Sequence, residues 1–158
     1  MIRRGMTSLA LAGTVLLGIA VPAVMADTTG PPDNAFGTIT ITIGPTAKLQ
    51  ARLIAHLSVT ITCALPAGAL SVDNTFDFLR LFEAVGNTVA NGEGQTPNAT
   101  FVCDGQPHAY MVDAGPPNVP FKKGEAVAQM TATNCGTLAD YTFACTTVLT
   151  PWVTVKLK

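Results

Sequence analysis

Apolar and polar residues alternate along the chain from position 47 to position 63. Every odd position in this range is apolar, every even position except Ile54 is polar, and the last odd position is Cys63. Side chains alternate between the two faces of a β-strand, so this spacing predicts one long strand with a core face and a solvent face. It places Cys63 on the core side of a β-sheet protein.

Shorter stretches with the same period lie on both sides of this strand. Residues 36–43 carry isoleucines on one face and are followed by Gly44-Pro45, a pair that breaks strands. Further strands are predicted at residues 99–103, 108–112, 125–133, 141–149 and 152–157, with a long turn or loop over 87–98. Pro151 suggests either an edge strand or a bend. About seven to eight short strands separated by turn residues predict an all-β fold, an immunoglobulin-like antiparallel β-sandwich.

Residues 75–83 hold a dense group of large apolar side chains. The flanking asparagine and glycine could bound a short helix, but the three phenylalanines and the neighbouring strands favour a strand. On a strand, Phe76, Phe78 and Phe82 share one face, and two leucines occupy the other. Large exposed apolar patches are unusual in a monomer, so the face not in the core needs a loop, a partner or a ligand. Phe76, Phe78 and Phe82 are therefore the candidate apolar binding surface.

The N-terminal residues have the pattern of an export signal. Arg3 and Arg4 precede an apolar run at residues 9–21, and small or apolar residues lead to a cleavage site after Ala26. The run is too short to cross a bilayer core of about 30 Å comfortably, which disfavours a membrane anchor. We expect residues 1–26 to be a signal peptide, 27–35 a flexible leader and 36–158 one β-sandwich domain.

Charge disfavours two classes of partner. Residues 27–158 carry seven basic and ten acidic side chains, a net charge of −3, and Lys122-Lys123 is their one adjacent basic pair. A mildly acidic chain gives no reason to expect nucleic acid or, after signal cleavage, an anionic membrane. We expect a secreted protein, free or associated with the cell wall.

Four cysteines follow the predicted cleavage site, at positions 63, 103, 135 and 145. An even number of cysteines in an exported chain favours two disulfides, for which three pairings are possible. We favour Cys63–Cys103, joining two core-facing strand positions, and Cys135–Cys145, which closes a short loop rich in turn residues. The chain-entropy account gives about 4 kcal/mol for the longer loop and about 3 kcal/mol for the shorter one.

No arrangement of residues indicates a catalytic or metal site. The chain has no Cys-x-x-Cys pair, and His56 has the opposite parity to Cys63, so zinc is not expected. Ser58 lies two residues from His56, but no acidic residue shares their strand face and no Gly-x-Ser-x-Gly motif is present. Oxygen-rich turns at residues 73–77 and 87–93 lack the spacing of a calcium loop. We therefore expect no catalytic residues, no metal and no cofactor.

A resemblance rests on the order of the cysteines and on two short motifs. Val102-Cys103-Asp104-Gly105-Gln106-Pro107-His108 and Phe121-Lys122-Lys123-Gly124-Glu125-Ala126 lie between Cys63 and the Cys135, Cys145 pair. In these features the chain resembles a group of small exported actinobacterial proteins, mostly uncharacterised, with immunoglobulin-type sandwiches. The resemblance implies that fold and a secreted life, and it supplies no catalytic residues.

The favoured function is a secreted, non-enzymatic binding or structural module, with an unknown protein, the cell wall or a small apolar ligand as partner. The alternative is a small apolar-ligand carrier resembling the antitumour chromoprotein apoproteins, which a cavity lined by Phe76, Phe78 and Phe82 would favour. A secreted hydrolase is the least favoured function. A cluster of His108 with Asp104 or Asp113 in a cleft would support it.

Overall fold

The computed structural model of the protein describes residues 35–158. The predicted signal peptide lies outside the described residues, as does the predicted leader apart from Ala35. One short 3-10 turn, Pro97–Ala99, accompanies eight strands: β1 (Thr38–Gln50), β2 (Ile54–Ala64), β3 (Ser71–Val85), β4 (Thr88–Gly94), β5 (Pro107–Ala114), β6 (Gly124–Thr137), β7 (Phe143–Leu149) and β8 (Val153–Leu157). Within this range, no helix is both long and apolar enough to cross a membrane.

The strands form one hydrogen-bonded sheet in the order β4-β3-β6-β8-β1-β2-β5, and β7 pairs with β6 beside β8. The prediction of an all-β fold is confirmed. The sheet is mixed rather than antiparallel throughout, because β1 and β8 run parallel where Thr46 and Ala47 face Lys156 and Leu157. The sheet curls until its far ends meet, where the Gly115 N–H donates to the Glu93 carbonyl oxygen at 2.9 Å.

Strands β7 and β8 lie end to end along one edge of β6. β7 pairs with the second half of β6 and β8 with the first half, so the chain follows β6 twice with a bend between. At the bend Thr150 replaces the regular pairing, since its N–H donates to the Met130 carbonyl and its hydroxyl accepts from the Met130 N–H. The bend that Pro151 suggested is present.

The alternating residues 47–63 form a hairpin, so the prediction of one continuous strand is wrong. The chain turns at Ala51 and Arg52, which both have positive φ, and Gln50 pairs with Ile54 across the turn. A three-residue loop keeps odd positions opposite odd positions, as in the pair Leu49–Ala55. Alternation therefore continues through the turn, and parity alone does not distinguish a hairpin from a longer strand.

Gly44-Pro45 does not end the first strand, contrary to the prediction. β1 continues to Gln50, and the register of its pairing with β2 shifts between Ile43 and Ala47. At a β-bulge or similar irregularity, residues can stay outside the hydrogen-bonded ladder while the strand continues on both sides. Past this shift β1 also pairs with β8, so the irregularity lies where the strand gains a second partner.

Strand β4 lies within residues 87–98, which were predicted to be a loop. Its inward positions are Ala90 and Gly92, which give no apolar alternation to recognise. The glycines are needed because the other end of the sheet comes very close. A Cβ at Gly94 would lie 2.5 Å from the Asp113 carbonyl oxygen, and one at Gly92 would lie 2.8 Å from the Phe121 ring.

Residues 99–103 are not a strand, which corrects another prediction. Asn98 and Ala99 have positive φ, a conformation that ends extended structure. Phe101 is nevertheless buried, and Cys103 lies within bonding distance of β2. The alternation of Phe101 and Cys103 reflects burial of a loop against the core rather than a sheet face.

One hydrophobic core lies inside the curled sheet. Strand β3 contributes Leu79 and Leu81, both fully buried, so the preference for a strand over a helix at residues 75–83 is confirmed. The largest other fully buried side chains come from β2, β5, β6, β8 and two loops: Leu57, Val59, Ile61, Val112, Met130, Val155, Leu157, Phe36 and Phe121. Burial of these chains is the main favourable term in folding.

The two disulfides have the pairing favoured from the sequence. Cys63–Cys103 joins β2 to the segment before β5, with a Cα–Cα distance of 4.4 Å. Cys135–Cys145 joins directly opposed residues of the β6–β7 hairpin, with a Cα–Cα distance of 4.1 Å. Disulfides persist in oxidising compartments, so both bonds indicate that the protein functions in one.

A buried carboxylate in β3 fixes the loop that follows β4. Asp77 is fully buried, its Oδ1 accepts from the Thr96 N–H at 2.7 Å, and its Oδ2 contacts the Thr96 hydroxyl. That hydroxyl also lies 2.8 Å from the Thr100 carbonyl oxygen. Buried polar groups are retained where they are hydrogen-bonded, and here they hold residues 96–100 against the core.

Removing the two disulfides should cost unequal amounts of stability. The paired Cys63→Ala, Cys103→Ala variant opens a loop of 40 residues, and the Cys135→Ala, Cys145→Ala variant opens one of 10. The chain-entropy account predicts losses of about 4 and about 3 kcal/mol in the free energy of unfolding. Urea denaturation of both variants measures the two losses in the free energy of unfolding. A larger loss on opening the shorter loop would contradict the chain-entropy account.

The Asp77 contact predicts that an amide replaces the carboxylate at little cost. The Thr96 hydroxyl has one hydrogen for two acceptors, and the side-chain NH2 of Asp77→Asn supplies another. We expect Asp77→Asn to lower the free energy of unfolding by less than about 1 kcal/mol. Asp77→Ala leaves the buried Thr96 N–H without an acceptor, while the Thr96 hydroxyl can still donate to the Thr100 carbonyl oxygen. This variant should cost about 1–3 kcal/mol. Equal losses in denaturant melts would refute this account.

Candidate functional site

The candidate surface is the outward side of β3, β6, β7 and β8. Alternation along β3 turns the predicted residues Phe76, Phe78 and Phe82 away from the core, opposite the side taken by the two buried leucines. The three phenylalanines therefore share one face, as expected from the sequence. The face is uncovered at Phe76, whose side chain is 42% exposed.

The pairing of strands extends this face beyond the three phenylalanines. Phe78 pairs with Thr131, which pairs in turn with Leu149 of β7, and Phe82 pairs with Val127. Trp152, in the bend between β7 and β8, packs against Phe82 with ring centroids 5.4 Å apart. We call these six apolar residues the outer face: Phe76, Phe78, Phe82, Val127, Leu149 and Trp152.

Large apolar side chains of the outer face are in contact with solvent. Leu149 is 55% exposed, Trp152 47% and Val127 40%. Paired strands lie about 4.8 Å apart, so three adjacent strands and the seven residues 76–82 of β3 make a patch of about 10 by 20 Å. A patch of this area is no larger than the largest apolar patch of an ordinary monomer, and such patches are often functional.

Sequence reasoning missed Val127, Leu149 and Trp152. Val127 lies between inward-facing alanines, and Leu149 lies at the end of a strand whose inward residue is Val148. The alternation along each strand does predict that Val127 and Leu149 face outward. It does not predict that they lie beside the phenylalanines, because that depends on pairing between strands that are distant in the sequence.

The outer face is apolar with hydroxyl-bearing and amide side chains between the rings. Thr133 and Thr147 oxygens lie 2.9 Å apart across β6 and β7, and the Gln129 amide donates to the Thr150 carbonyl oxygen at 3.0 Å. Arg80 lies over the Phe78 ring, with its guanidinium carbon 5.4 Å from the centroid. Aromatic rings with an adaptable polar surround are typical of protein-binding surfaces.

The three phenylalanines line an open surface. Two clefts, of about 470 and about 390 Å³, lie elsewhere on the molecule, and neither is lined by Phe76, Phe78 or Phe82. Their rings point away from the core that the curled sheet encloses. A broad partner fits this geometry better than a small enclosed ligand does.

His56 has an acidic neighbour that the sequence did not reveal. The His56 Nδ1 lies 2.6 Å from Asp113 Oδ1, and its Nε2 lies 2.8 Å from Gln50 Oε1. Asp113 reaches His56 because the two residues are opposed in the β2–β5 pairing. The expectation that no acidic residue shares the face of His56 and Ser58 is therefore wrong. Ser58 makes no side-chain hydrogen bond to His56.

His108 pairs with Asp104, one of the clusters that would support a hydrolase. Its Nε2 lies 2.9 Å from Asp104 Oδ1, and both side chains are about as exposed as ordinary surface residues. Among residues 35–158 neither side chain of the pair hydrogen-bonds to a serine or threonine hydroxyl, and the four cysteines are in disulfides. The geometry supplies an acid–histidine pair with no such hydroxyl or thiol bonded to it.

Within residues 35–158, no group of three or more histidine, cysteine, aspartate or glutamate side chains is arranged to hold a metal ion. Asp77, one of the calcium candidates, points into the core and bonds to Thr96. Asp73 accepts hydrogen bonds from Ser71 and Thr137. These contacts account for the acidic residues of the first oxygen-rich turn.

Comparison with known proteins returns no match to any family model, curated protein or solved structure.

The acidic residue of the Asp104–His108 pair has a lowered pKa. The Gln106 N–H donates to Asp104 Oδ1 at 2.8 Å, and His108 adds a second hydrogen bond, so the pKa of the Asp104 carboxyl lies below its ordinary value. Hydrogen bonds to the charged form favour ionisation. A carboxyl whose pKa is lower in the folded state stabilises the fold above its unfolded pKa, and this contribution is lost as the pH falls through the folded pKa.

We expect the Asp104 carboxyl, followed by carbon-13 NMR, to titrate below about 3.9, the ordinary value of an aspartate. His108→Ala should raise the midpoint only in part, because the Gln106 N–H is the larger cause of the shift. Asp140, whose pKa is lowered by bonds from Thr142, is the internal control and should not move. A midpoint at the ordinary value in the unmodified protein would contradict the geometry.

Proposed function

We propose that the protein is a secreted, non-enzymatic binding module that engages a protein partner through its outer face. The observation that carries the proposal is the contiguous exposed patch of Phe76, Leu149 and Trp152 with the rings beside them. The largest apolar patch of a monomer is often functional, and a partner that covers this one would remove its exposed rings from water. Secretion is supported by the two disulfides and by the predicted signal peptide.

We infer that the fold is an immunoglobulin-type sandwich, and the strand order supports this. β1, β2 and β5 form one group, and β4, β3, β6 and the β7–β8 pair form the other. In a constant-type immunoglobulin domain the first, second, fourth and fifth strands separate from the third, sixth and last. Here the fourth strand pairs with the third instead, as the strand added after the third does in variable-type domains. The disulfide differs, since Cys63 bonds to the segment before β5 rather than to β6. We also propose that the protein resembles the small exported actinobacterial proteins, on the order of its cysteines and the two short motifs between them.

The outer face has the composition of a binding surface rather than of an ordinary sheet surface. Aromatic side chains dominate protein-binding energetics, and two lie in contact here in Phe82 and Trp152. Arginine is also enriched at interfaces, and Arg80 is stacked on Phe78 at the margin of the patch. The face belongs to paired strands, which hold its side chains in fixed relative positions before a partner arrives.

Site-specific photocrosslinking in the native host tests the proposal. The photoreactive residue p-benzoylphenylalanine replaces Leu149 in one variant and Met111 in a control. Met111 lies on β5 and is 54% exposed, against 55% for Leu149, so the two sites differ in location and not in accessibility. We expect a crosslinked adduct of discrete mass from position 149 and none from position 111.

A second substitution tests whether the apolar contact drives binding. Phe78→Ser is added to the variant that carries the photoreactive residue at position 149. The adduct should fall about tenfold, because a loss of about 1.4 kcal/mol in binding free energy lowers the affinity tenfold. Unchanged thermal unfolding would show that the variant remains folded. Equal adducts from positions 149 and 111, or none from 149, would overturn the proposal. A small non-covalent mass in native mass spectrometry would favour the carrier instead.

A further inference from the structure

The larger cleft lies at the end of the sheet where the β1–β2 turn meets the segment before β6. It has a volume of about 470 Å³ and is lined by Leu49, Ala51, Arg52, Lys122 and Lys123. Leu49 and Ala51 are apolar, and the lysine side chains add hydrocarbon stems below their ammonium groups. The cleft therefore combines an apolar surface with three positive charges and is separate from the outer face.

Arg52 is held in place by the segment on the other side of the cleft. Its Nε donates to the Phe121 carbonyl oxygen at 2.7 Å, and its own carbonyl accepts from the Phe121 N–H at 2.9 Å. The guanidinium has five N–H donors, and this is its one hydrogen bond among residues 35–158. The two terminal nitrogens remain available to bind an oxyanion in a fixed, forked geometry.

Lys122 is held in place by a main-chain hydrogen bond, and neither Lys122 nor Lys123 forms a salt bridge among the described residues. The Lys122 N–H donates to Glu83 Oε2 at 2.8 Å, so the buried carboxylate of Glu83 faces the main chain. Over the part of the chain that the structure describes, no lysine or arginine nitrogen lies within 4.0 Å of a carboxylate oxygen. The charges of Lys122 and Lys123 are thus unpaired where they line the cleft.

Further basic residues lie on the strands that end beside the cleft. Lys158 bonds through its main chain to Ala47 and Leu49, which puts the last residues of β8 beside the cleft. Lys48 and Lys156 lie on the same paired segments, and of the basic residues described Arg80 alone lies elsewhere. Acidic groups lie at this end as well, since Glu125 pairs with Lys156 and the buried Glu83 carboxylate accepts from the Lys122 N–H.

The turn that presents Arg52 uses unfavourable residues. Ala51 and Arg52 have φ values of 49° and 62°, and a turn with two positive φ values favours asparagine and glycine. Side chains in this region crowd the following carbonyl, so the sequence accepts a local cost there. Strain of this kind concentrates at ligand sites, where the side chain is needed for a purpose other than stability.

We propose that this cleft binds a small amphipathic anion, a carboxylate or phosphate head with an apolar body. The head is held by Arg52, Lys122 and Lys123, and the body lies along Leu49 and Ala51. The volume falls within the range of small-molecule sites. The proposal is independent of the partner-binding role of the outer face.

Titration of the full chain with octanoate, octanol and inorganic phosphate, followed by amide NMR, tests this site. We expect saturable shifts at Ala51, Arg52 and Lys123 with octanoate, at least about tenfold weaker binding of octanol, which lacks the charge, and weaker binding of phosphate, which lacks the body. Octanol binding as tightly as octanoate would overturn the role of the cations. Phosphate binding as tightly as octanoate would overturn the role of the apolar surface.

Matched variants separate the cleft from general charge. Lys123→Gln and Arg80→Gln each remove one positive charge, but Arg80 lies on the outer face. We expect Lys123→Gln to weaken octanoate binding by about threefold or more, the Lys122→Gln, Lys123→Gln variant by about tenfold or more, and Arg80→Gln by less than about twofold. Neither lysine side chain makes a hydrogen bond among the described residues, so folding should be kept. Equal losses from Lys123→Gln and Arg80→Gln would overturn the proposal.

Discussion

The short parallel contact between β1 and β8 joins the two halves of the protein into one sheet. Thr46 and Ala47 face Lys156 and Leu157, and two further main-chain bonds link Lys158 with Ala47 and Leu49. At the far end of the sheet the two groups are joined only by isolated main-chain bonds, such as the Gly115 N–H to the Glu93 carbonyl oxygen, rather than by paired strands. The contact between β1 and β8 also brings the C-terminal residue beside the β1–β2 turn.

Closure at the opposite end of the sheet depends on residues without side chains. Gly92 and Gly94 let β4 approach Phe121 and Asp113 more closely than any Cβ would permit. Because these positions have no side chains, the sequence of β4 shows no alternation of apolar and polar residues, and the segment was predicted to be a loop. Alternation identified the inward residues of β6 from Ala126 to Ala132 correctly, since those positions are uniformly apolar. The strand at β3 was predicted from its three phenylalanines and its neighbouring strands instead.

At the sites, too, features within one strand were predictable, and features that depend on pairing between distant strands were not. The shared face of Phe76, Phe78 and Phe82 follows from spacing along one strand, and it was predicted. Leu149 and Trp152 join that face through pairing between segments far apart in the chain, as does Asp113 when it meets His56. The turn at Ala51 and Arg52 preserves parity, so no alternation pattern could have revealed the cleft beside it. Cysteine pairing was within reach because few combinations exist.

Trp152 is the single tryptophan of the chain, and it lies half exposed against Phe82 on the outer face. The bend at Thr150 and Pro151 holds the indole there, away from the cleft at the Arg52 turn. The protein therefore has one indole fluorophore beside two tyrosines, and the indole lies on one of its two surfaces of interest. The indole emission reports the polarity of that surface, so a change in colour or anisotropy distinguishes events on the outer face from events at the cationic end without any added label.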